Sequence, residues 1–247
     1  MSKICYYNKR LLDGEQILMK KKKRSHTKLT DAQKKVRVRR NIRLGLILLA
    51  ALAVLLVIAR ILKPGWFTNK YIGYNGENID EVRPDMEIAL LTVNPYSRPG
   101  TPTNKITGIV VHYTANPGAT AMNNRDYFES LKDSHETKVS SNFVVGLEGE
   151  IVQCVPTWEV AYASNSRNID TVSIECCHPD ETGKFNSATY ESMVRLCAWL
   201  CLKFDLDEED VIRHYDVTGK NCPKYFVENE DAFQKFREDI KKELKSF

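Results

Sequence analysis

Apolar positions in the second half of the chain fall into short β-branched runs and longer periodic segments. The run "ITGIVVHY" (Ile106–Tyr113) predicts a buried strand, and "TVSIECC" (Thr171–Cys177) predicts a second one. Apolar residues recur with a 3.6-residue period between Ser187 and Asp205, which indicates an amphipathic helix. The other predicted elements are a helix at Ala121–Lys132, a hairpin at Ser141–Val155, a short strand or approach segment at Asp210–Tyr215 and a charged closing helix at Glu228–Ser246. Strands that alternate with helices predict one α/β domain.

A different pattern precedes this body. Leu44–Ala59 is a run of 16 residues without a polar side chain. Extended to Leu62 as a helix, it would rise about 28 Å, close to the thickness of a bilayer core. A cleaved signal peptide is the alternative, but its basic region would be 43 residues long and no small-residue cleavage site follows Arg60. We therefore predict a transmembrane helix at residues 44–62.

The charge distribution orients this helix. The first 43 residues carry 15 Lys and Arg against three acidic residues, whereas the rest of the chain carries 21 basic and 29 acidic residues. The positive-inside rule then places the N-terminus in the cytoplasm and the body outside. The prediction is a single-pass protein of the cell membrane, with a basic cytoplasmic tail (1–43), an extracytoplasmic linker (63–85) and an extracytoplasmic body (86–247).

The lysine-rich tail admits two kinds of partner. The run "KKKKR" (Lys20–Arg24) is typical of nucleic-acid binding or a nuclear address. Beside a membrane helix, topology and attraction to anionic lipid explain the same charge more simply. We predict anionic lipid rather than nucleic acid as a partner of the tail.

The chain has seven cysteines. With this topology Cys5 lies in the cytoplasm and the other six lie outside, where disulfides can form, although the sequence does not determine their connectivity. Cys197 and Cys201 are four residues apart on the predicted helix, so both face the same way. We predict that they are a pair of small buried apolar side chains.

Two histidines and a third cysteine suggest chemistry. His112 ends a predicted strand and precedes a turn-rich stretch, where functional side chains are common. His214, Lys220 and Cys222 lie within nine residues of one another. Zinc prefers nitrogen and sulfur ligands, and catalytic zinc keeps three protein ligands plus a water. On residue chemistry alone, His112, His214 and Cys222 are either a zinc site or unrelated structural and disulfide-forming residues.

Four segments, in order, resemble the zinc N-acetylmuramoyl-L-alanine amidases of type 2, a family that includes the peptidoglycan recognition proteins. They are "IVVHYTANPGATAMNNRDYF", "VSSNFVVGLEGEIVQCVP", "VSIECCHPDETGKFN" and "VIRHYDVTGKNCP". The similarity runs from about Met86 to the C-terminus, so residues 86–247 would be the zinc amidase domain. It implies an α/β fold with a single mixed central β-sheet flanked by helices, here preceded by one transmembrane helix.

The resemblance also implies roles for five residues. His112, His214 and Cys222 match the family's zinc ligands, with Zn²⁺ as the cofactor. Glu175 matches the general base of endolysin-type members, and Lys220 matches the lysine that steadies the oxyanion. Strand alternation supports Glu175, because its carboxyl group would face the cleft while its neighbours face the other side. A carboxylate in a buried strand is also costly unless it is paired or functional.

The implied function is that of a membrane-anchored zinc hydrolase. It would cleave the amide bond between N-acetylmuramic acid and L-alanine in peptidoglycan. The alternative is a non-catalytic peptidoglycan-binding module of the same fold, but family binders commonly lack the cysteine ligand, so Cys222 and Glu175 favour the enzyme. Some members carry a catalytic tyrosine near the position of Ser141 and Asn142, so we do not expect tyrosine-assisted catalysis here. His178, three residues after Glu175, could line the cleft, but we predict a structural or surface residue.

Overall fold

The structure, a computed structural model, describes residues 31–62 and 79–247. These two segments belong to separate units of the chain. The predictions for Cys5, for the lysine-rich run and for most of the linker at 63–85 lie outside the described residues. The described end of that linker contains a 3₁₀ helix, Ile79–Val82, whose two apolar side chains pack against the main core of the second unit.

The first unit contains one long helix, α1 (Asp31–Leu62). It includes the segment predicted to span a membrane, and apolar side chains at 46–49 are 61–69% exposed. Among the helices that the structure describes, none is found to combine the length and apolarity needed to cross a bilayer. The transmembrane helix predicted at 44–62 is therefore not supported by the structure.

A six-stranded sheet forms the centre of the second unit. Its strands are β1 (Glu87–Ile88), β2 (Gly108–Tyr113), β3 (Phe143–Val145), β4 (Ile151–Gln153), β5 (Thr171–Cys176) and β6 (Val211–Arg213). Their spatial order is β1-β4-β3-β5-β2-β6. β3 and β4 pair antiparallel, as the predicted hairpin requires, and all other neighbours pair parallel. The mixed central sheet is thereby confirmed.

Helices cover both faces of this sheet. They are α2 (Ala121–Ser134), α3 (Ser187–Phe204), α4 (His214–Thr218), α5 (Lys224–Glu228) and α6 (Glu230–Ser246). The apolar sides of α3 and α6 share one core with Phe143 and Val145 of β3. Val144, between them, faces the opposite side and joins the core under α2. This alternation along one strand divides the sheet into two buried faces.

The most clearly periodic helix of the sequence, α3, forms as predicted. Asn186 caps its first turn by accepting a hydrogen bond from the Thr189 amide, and Asp205 ends it in the left-handed region at φ 57°. Cys197 and Cys201 are fully buried in the core, which confirms their prediction as small apolar side chains. The described cysteines are all free thiols: Cys154, Cys176, Cys177, Cys197, Cys201 and Cys222.

The closing helix predicted at Glu228–Ser246 is interrupted. Asn229 has φ −134° and ψ 81°, so α5 ends before it and α6 begins after it. The Asn229 side chain donates a hydrogen bond to the Tyr225 carbonyl at 3.0 Å. Such side-chain hydrogen bonds compete with those of the helix backbone, which is why asparagine is a poor helix former. The break places Phe226 and Phe233 against each other, with ring centroids 5.6 Å apart.

Candidate active site

His112 and Glu175 occupy neighbouring strands of the sheet. Their Cα atoms are partners in the parallel ladder between β2 and β5, so both side chains leave the same face near the C-terminal strand ends. Ile174 and Cys176, on either side of Glu175, lie in the core on the opposite face, as the alternation predicted. The sheet therefore presents an imidazole and a carboxyl group side by side.

A helical turn and a glycine bring His214 and Cys222 together. β6 ends at Arg213, and His214 opens the short helix α4. Gly219 ends this helix at φ 78°, a conformation that strains residues with a Cβ atom, and its amide donates to the Tyr215 carbonyl at 2.7 Å. The chain then returns, and the Tyr215 amide donates to the Cys222 carbonyl at 2.9 Å. His214 and Cys222, eight positions apart in the sequence, therefore lie at the same site.

His112, His214 and Cys222 are buried and converge on one point. One potential ligand atom from each lies within 4.8 Å of the other two. The Nδ1 atom of His112 is 3.8 Å from the Cys222 Sγ atom, and the two imidazole centroids are 4.7 Å apart. Tetrahedral zinc, with ligand distances of ~2.0–2.3 Å, separates its ligand atoms by roughly 3.3–3.8 Å. The His112–Cys222 distance falls in this range, and the 4.8 Å limit on the other two separations is within about 1 Å of it.

Burial sets the protonation states of the triad. Burial lowers the pKa of His112 well below 6.5, and the nearby charges of His214 and Lys220 lower it further. The pKa of His214 is also lowered, by burial and by Lys220, so both rings are neutral at pH 7 and can bind a metal. Burial raises the pKa of the Cys222 thiol to about 12. The thiolate form of Cys222 therefore needs a neighbouring cation.

Glu175 and Lys220 complete the cluster. Among the described residues, no group hydrogen-bonds to the buried Oε2 atom of Glu175. Burial raises the pKa of Glu175 to about 8, and the positive charge of Lys220 opposes this rise. Lys220 is exposed, yet its charge also lowers the pKa values of both histidines and of Cys222. The structure thus brings all five predicted residues into one site, whose roles stay predictions.

Ser141 and Asn142 are committed to a structural network. The Asn142 side chain accepts a hydrogen bond from the Ser173 amide at 2.9 Å and donates to the Pro156 carbonyl at 3.1 Å. The hydroxyl groups of Ser141 and Ser173 lie 3.2 Å apart. The side chains of Ser141, Asn142 and Ser173 are buried, and their hydrogen bonds connect adjoining strands. Pro156 contributes only its backbone carbonyl. Ser141 and Asn142 lie near the position at which the resemblance led us to look for a tyrosine, and neither carries a phenol.

His178 lies next to the cluster in the interior. Its Nδ1–H donates to the Asp180 carbonyl at 2.7 Å, and its ring packs 5.1 Å from the ring of Tyr113. The side chain is 1% exposed. These contacts place His178 in the interior rather than at the surface, and among the described residues its buried Nε2 atom has no hydrogen-bond partner.

Sequence reasoning missed two residues that contact the histidines. Ser164 Oγ lies 3.2 Å from His112 Nε2, and Asn165 Oδ1 lies 2.8 Å from His214 Nε2. They lie at the start of the 3₁₀ helix Asn165–Ile169, which directly precedes β5. The only sequence signal there is a dense polar stretch, and that pattern is equally typical of an ordinary surface loop.

Arg213 secures the segment that carries His214. Its guanidinium group is 9% exposed, pairs with Asp216 at 2.9 Å and Glu230 at 2.6 Å, and lies over the Phe233 ring at 4.4 Å. The same group donates to the Phe226 carbonyl at 3.0 Å. One side chain therefore ties α4 to α5 and α6.

We expect Arg213→Met to lower the free energy of unfolding by about 3 kcal/mol, because it leaves carboxylates and a carbonyl without their partner. Urea unfolding of the full chain measures this change. Arg195→Met is the matched control. Arg195 is 71% exposed and lies as far as 3.9 Å from its partner Glu243, so this ion pair contributes little to stability. Equal midpoints for the two variants would contradict the assigned role of Arg213.

Known proteins share this sequence pattern. The family model for N-acetylmuramoyl-L-alanine amidase matches residues 102–225, which include all five site residues. N-acetylmuramoyl-L-alanine amidase CwlL of Bacillus licheniformis is 34% identical over 160 residues, which cover 60% of this chain and 44% of the relative. N-acetylmuramoyl-L-alanine amidase BlyA of Bacillus subtilis (strain 168) is 33% identical over 175 residues, which cover 62% and 46%. The chain thus spans less than half the length of these curated relatives.

Solved structures share the fold. A mutant endolysin from Bacillus subtilis has a TM-score of 0.54 at 26% identity, covering 63% of this chain and 98% of that chain. The catalytic domain of XlyA has the same TM-score of 0.54 at 24% identity, covering 64% and 99%, a likeness of fold alone. Because the family model covers half of the sequence and all of the clustered residues, the chain belongs to the N-acetylmuramoyl-L-alanine amidase family.

Proposed function

We propose that this chain is a zinc-dependent hydrolase of the amide bond between N-acetylmuramic acid and L-alanine in peptidoglycan. The observation that carries the proposal is the buried triad of His112, His214 and Cys222 with Glu175 beside it on the neighbouring strand. The names of the curated relatives, which are N-acetylmuramoyl-L-alanine amidases, support the choice of bond.

The donor set fits zinc on its own chemistry. Two neutral imidazoles and one thiol are the nitrogen and sulfur ligands that zinc prefers, and a catalytic site keeps a fourth position open. The buried Nδ1 atom of His214 has no hydrogen-bond partner among the described residues, which suits a ligand atom. The chemistry that zinc supplies when bound is Lewis acidity, which polarises a carbonyl oxygen and lowers the pKa of water.

Glu175 would move the protons of the reaction. The charge of Lys220 already opposes the rise in the pKa of Glu175 to about 8, and a cation held by the triad would lower that pKa further, so that the carboxylate would be available as a base. Its Oε2 atom accepts a proton from the attacking water as the new C–O bond forms. The same oxygen returns the proton to the amine of L-alanine as the C–N bond breaks.

Lys220 would stabilise charge rather than transfer protons. Its ammonium group already acts electrostatically on four site groups from an exposed position. A fixed positive charge near the carbonyl oxygen of the substrate stabilises the negative charge that develops there. The products are a lactyl carboxylate on the sugar and a stem peptide with a free L-alanine amine.

The test is to incubate the full chain with purified peptidoglycan, with and without added zinc. We expect soluble stem peptides that begin with a free L-alanine amine, and no release in the presence of a chelator. Sedimentation with the insoluble polymer, measured in parallel, reports binding. Binding without release in the zinc-loaded chain would overturn the enzyme proposal and favour a recognition module of the same fold.

We further propose that residues 44–62 anchor the chain in a membrane, with the body on the extracytoplasmic side. Support comes from the sequence: an uninterrupted apolar run and the excess of Lys and Arg before it. On this proposal the tail also meets the anionic lipid of the cytoplasmic leaflet.

We expect Val54→Arg to move the full chain from the membrane pellet toward the soluble fraction after an alkaline wash. A central arginine costs about 2.5–3.5 kcal/mol of insertion free energy. The matched control is Val38→Arg, since Val38 is similarly exposed on α1 but lies before the apolar run. The anchor proposal is wrong if the unmodified chain is already washed off the membrane.

A further inference from the structure

Two consecutive residues touch the two histidines of the triad from the same side. Ser164 Oγ lies 3.2 Å from Nε2 of His112, and Asn165 Oδ1 lies 2.8 Å from Nε2 of His214. Each contact joins positions about fifty residues apart in the sequence, so neither results from local chain geometry. The contact to His112 engages the ring nitrogen opposite the one that lies 3.8 Å from the Cys222 sulfur atom.

The contact to Asn165 selects one tautomer of His214. A carboxamide oxygen only accepts hydrogen bonds, so the Nε2 atom of His214 must carry the proton and donate it. The Nδ1 atom then keeps its lone pair, and among the described residues no group hydrogen-bonds to it. The contact with Asn165 therefore leaves His214 with a buried, unprotonated Nδ1 atom.

The contact to Ser164 is compatible with the same tautomer of His112, because a hydroxyl group can accept a hydrogen bond as well as donate one. When Nε2–H donates to the Ser164 hydroxyl, the lone pair resides on Nδ1. That Nδ1 atom is the one 3.8 Å from the Cys222 sulfur atom. In this tautomer His112 keeps a lone pair on Nδ1, as His214 does.

The short segment that carries this pair is itself firmly held. The Asn168 side-chain oxygen accepts hydrogen bonds from the backbone amides of Ala163 and Ser164. Asn165 lies in the left-handed region at φ 53°, which asparagine adopts more readily than most residues. Ser164 is 1% exposed. The geometry is thus defined by packing and hydrogen bonds rather than by a free loop.

We propose that Ser164 and Asn165 are positioning residues: Asn165 fixes the tautomer of His214, and both residues orient the histidine rings so that the two Nδ1 atoms and the Cys222 thiol face one metal ion. This inference rests on the proposed zinc site. Histidine ligands generally donate their second ring N–H to a protein acceptor, and loss of that acceptor typically weakens metal binding about 10–100-fold.

The decisive comparison is Asn165→Gly against Asn165→Asp in the full chain. Glycine tolerates the left-handed backbone but removes the acceptor, whereas aspartate retains an acceptor oxygen. We expect the dissociation constant for zinc, measured by competition with a chromophoric chelator, to rise about 10–100-fold for glycine and to stay within about threefold of the parent for aspartate. Ser166→Ala, at the exposed neighbouring position, is the control and should bind like the parent.

A second readout separates positioning from folding. Nitrogen chemical shifts of the histidine rings, recorded on the metal-free chain, should show His214 protonated at Nε2 in the parent and a mixture of tautomers in Asn165→Gly. Unchanged zinc affinity and an unchanged tautomer in the glycine variant would overturn this inference while leaving the zinc site intact. If the parent chain binds no zinc at all, the proposed cofactor fails and this inference fails with it.

Discussion

Replacing Glu175 by glutamine is expected to reduce kcat for peptidoglycan cleavage by about 10²–10⁴-fold, the range typical of a lost general base. Glutamine has nearly the same shape but cannot accept and return a proton. Because Glu175 is not a ligand in this account, the dissociation constant for zinc should stay close to that of the parent. Rate measurements on solubilised muropeptides, at saturating zinc, provide the kcat values.

The same substitution is expected to stabilise the metal-free chain at alkaline pH. The folded-state pKa of Glu175 is raised to about 8 from a reference of 4.5, so the folded chain binds this proton more tightly than the unfolded chain does. Its contribution is therefore most favourable below the unfolded pKa and is lost as the pH rises through the folded pKa. Glutamine has no charge to desolvate, so the Glu175→Gln variant should lose less stability than the parent as the pH rises from 4.5 to about 8.

Urea unfolding with a chelator present measures this difference. At about pH 8.5 we expect Glu175→Gln to be more stable than the parent by roughly 2–4 kcal/mol, with the gap closing toward about pH 5. Glu148→Gln, at an exposed position in the hairpin turn, controls for the change of residue type. Parent-like kcat in Glu175→Gln would contradict the proton-transfer role, and stability below that of the parent at every pH would contradict the cost assigned to the buried charge.

Replacing Cys222 by serine is expected to weaken zinc binding by about 10³-fold or more and to abolish cleavage. A serine hydroxyl does not ionise near neutral pH, so the site would lose its anionic sulfur ligand. The free energy of unfolding of the metal-free chain should change by only about 1 kcal/mol, because the substitution removes little volume. Competition with a chromophoric chelator measures the zinc affinity.

Cys154→Ser provides a stringent control for this experiment. Cys154 is fully buried, and burial raises the pKa of its thiol to about 12, as it does for Cys222. What distinguishes Cys222 is the pair of histidines within 4.8 Å of its sulfur atom. Equal zinc affinities for the two variants would contradict the assignment of Cys222 as a ligand.

Much of the fold could be predicted from the pattern of apolar positions. The strand at Ile106–Tyr113 and the helix at 187–205 were placed within two residues of β2 and α3. The helix is strongly periodic, the strand is a continuous β-branched run, and both have turn-rich flanks, so their interiors are determined by burial rather than by distant contacts. Alternation along the strand also predicted that Glu175 faces away from Ile174 and Cys176, but its pairing with His112 came only from the structure.

Other features depend on contacts that the sequence does not reveal. The break at Asn229 follows from one backbone conformation that also places Phe226 against Phe233. The proximity of Asn165 to His214 depends on how a polar segment folds over the sheet. Neither the periodicity of polar residues nor the spacing of motifs predicts such long-range hydrogen bonds. Ser164 and Asn165 could therefore be identified only from the structure.

The central claim is tested most directly by the position at which the substrate is cut. The zinc-loaded full chain would be incubated with a defined muramyl peptide in water labelled with heavy oxygen, and the products analysed by mass spectrometry. The account predicts one labelled oxygen in the lactyl carboxylate of the sugar and a free amine on L-alanine. A label elsewhere, a broken glycosidic or peptide bond, or intact substrate held by the zinc-loaded chain would contradict it.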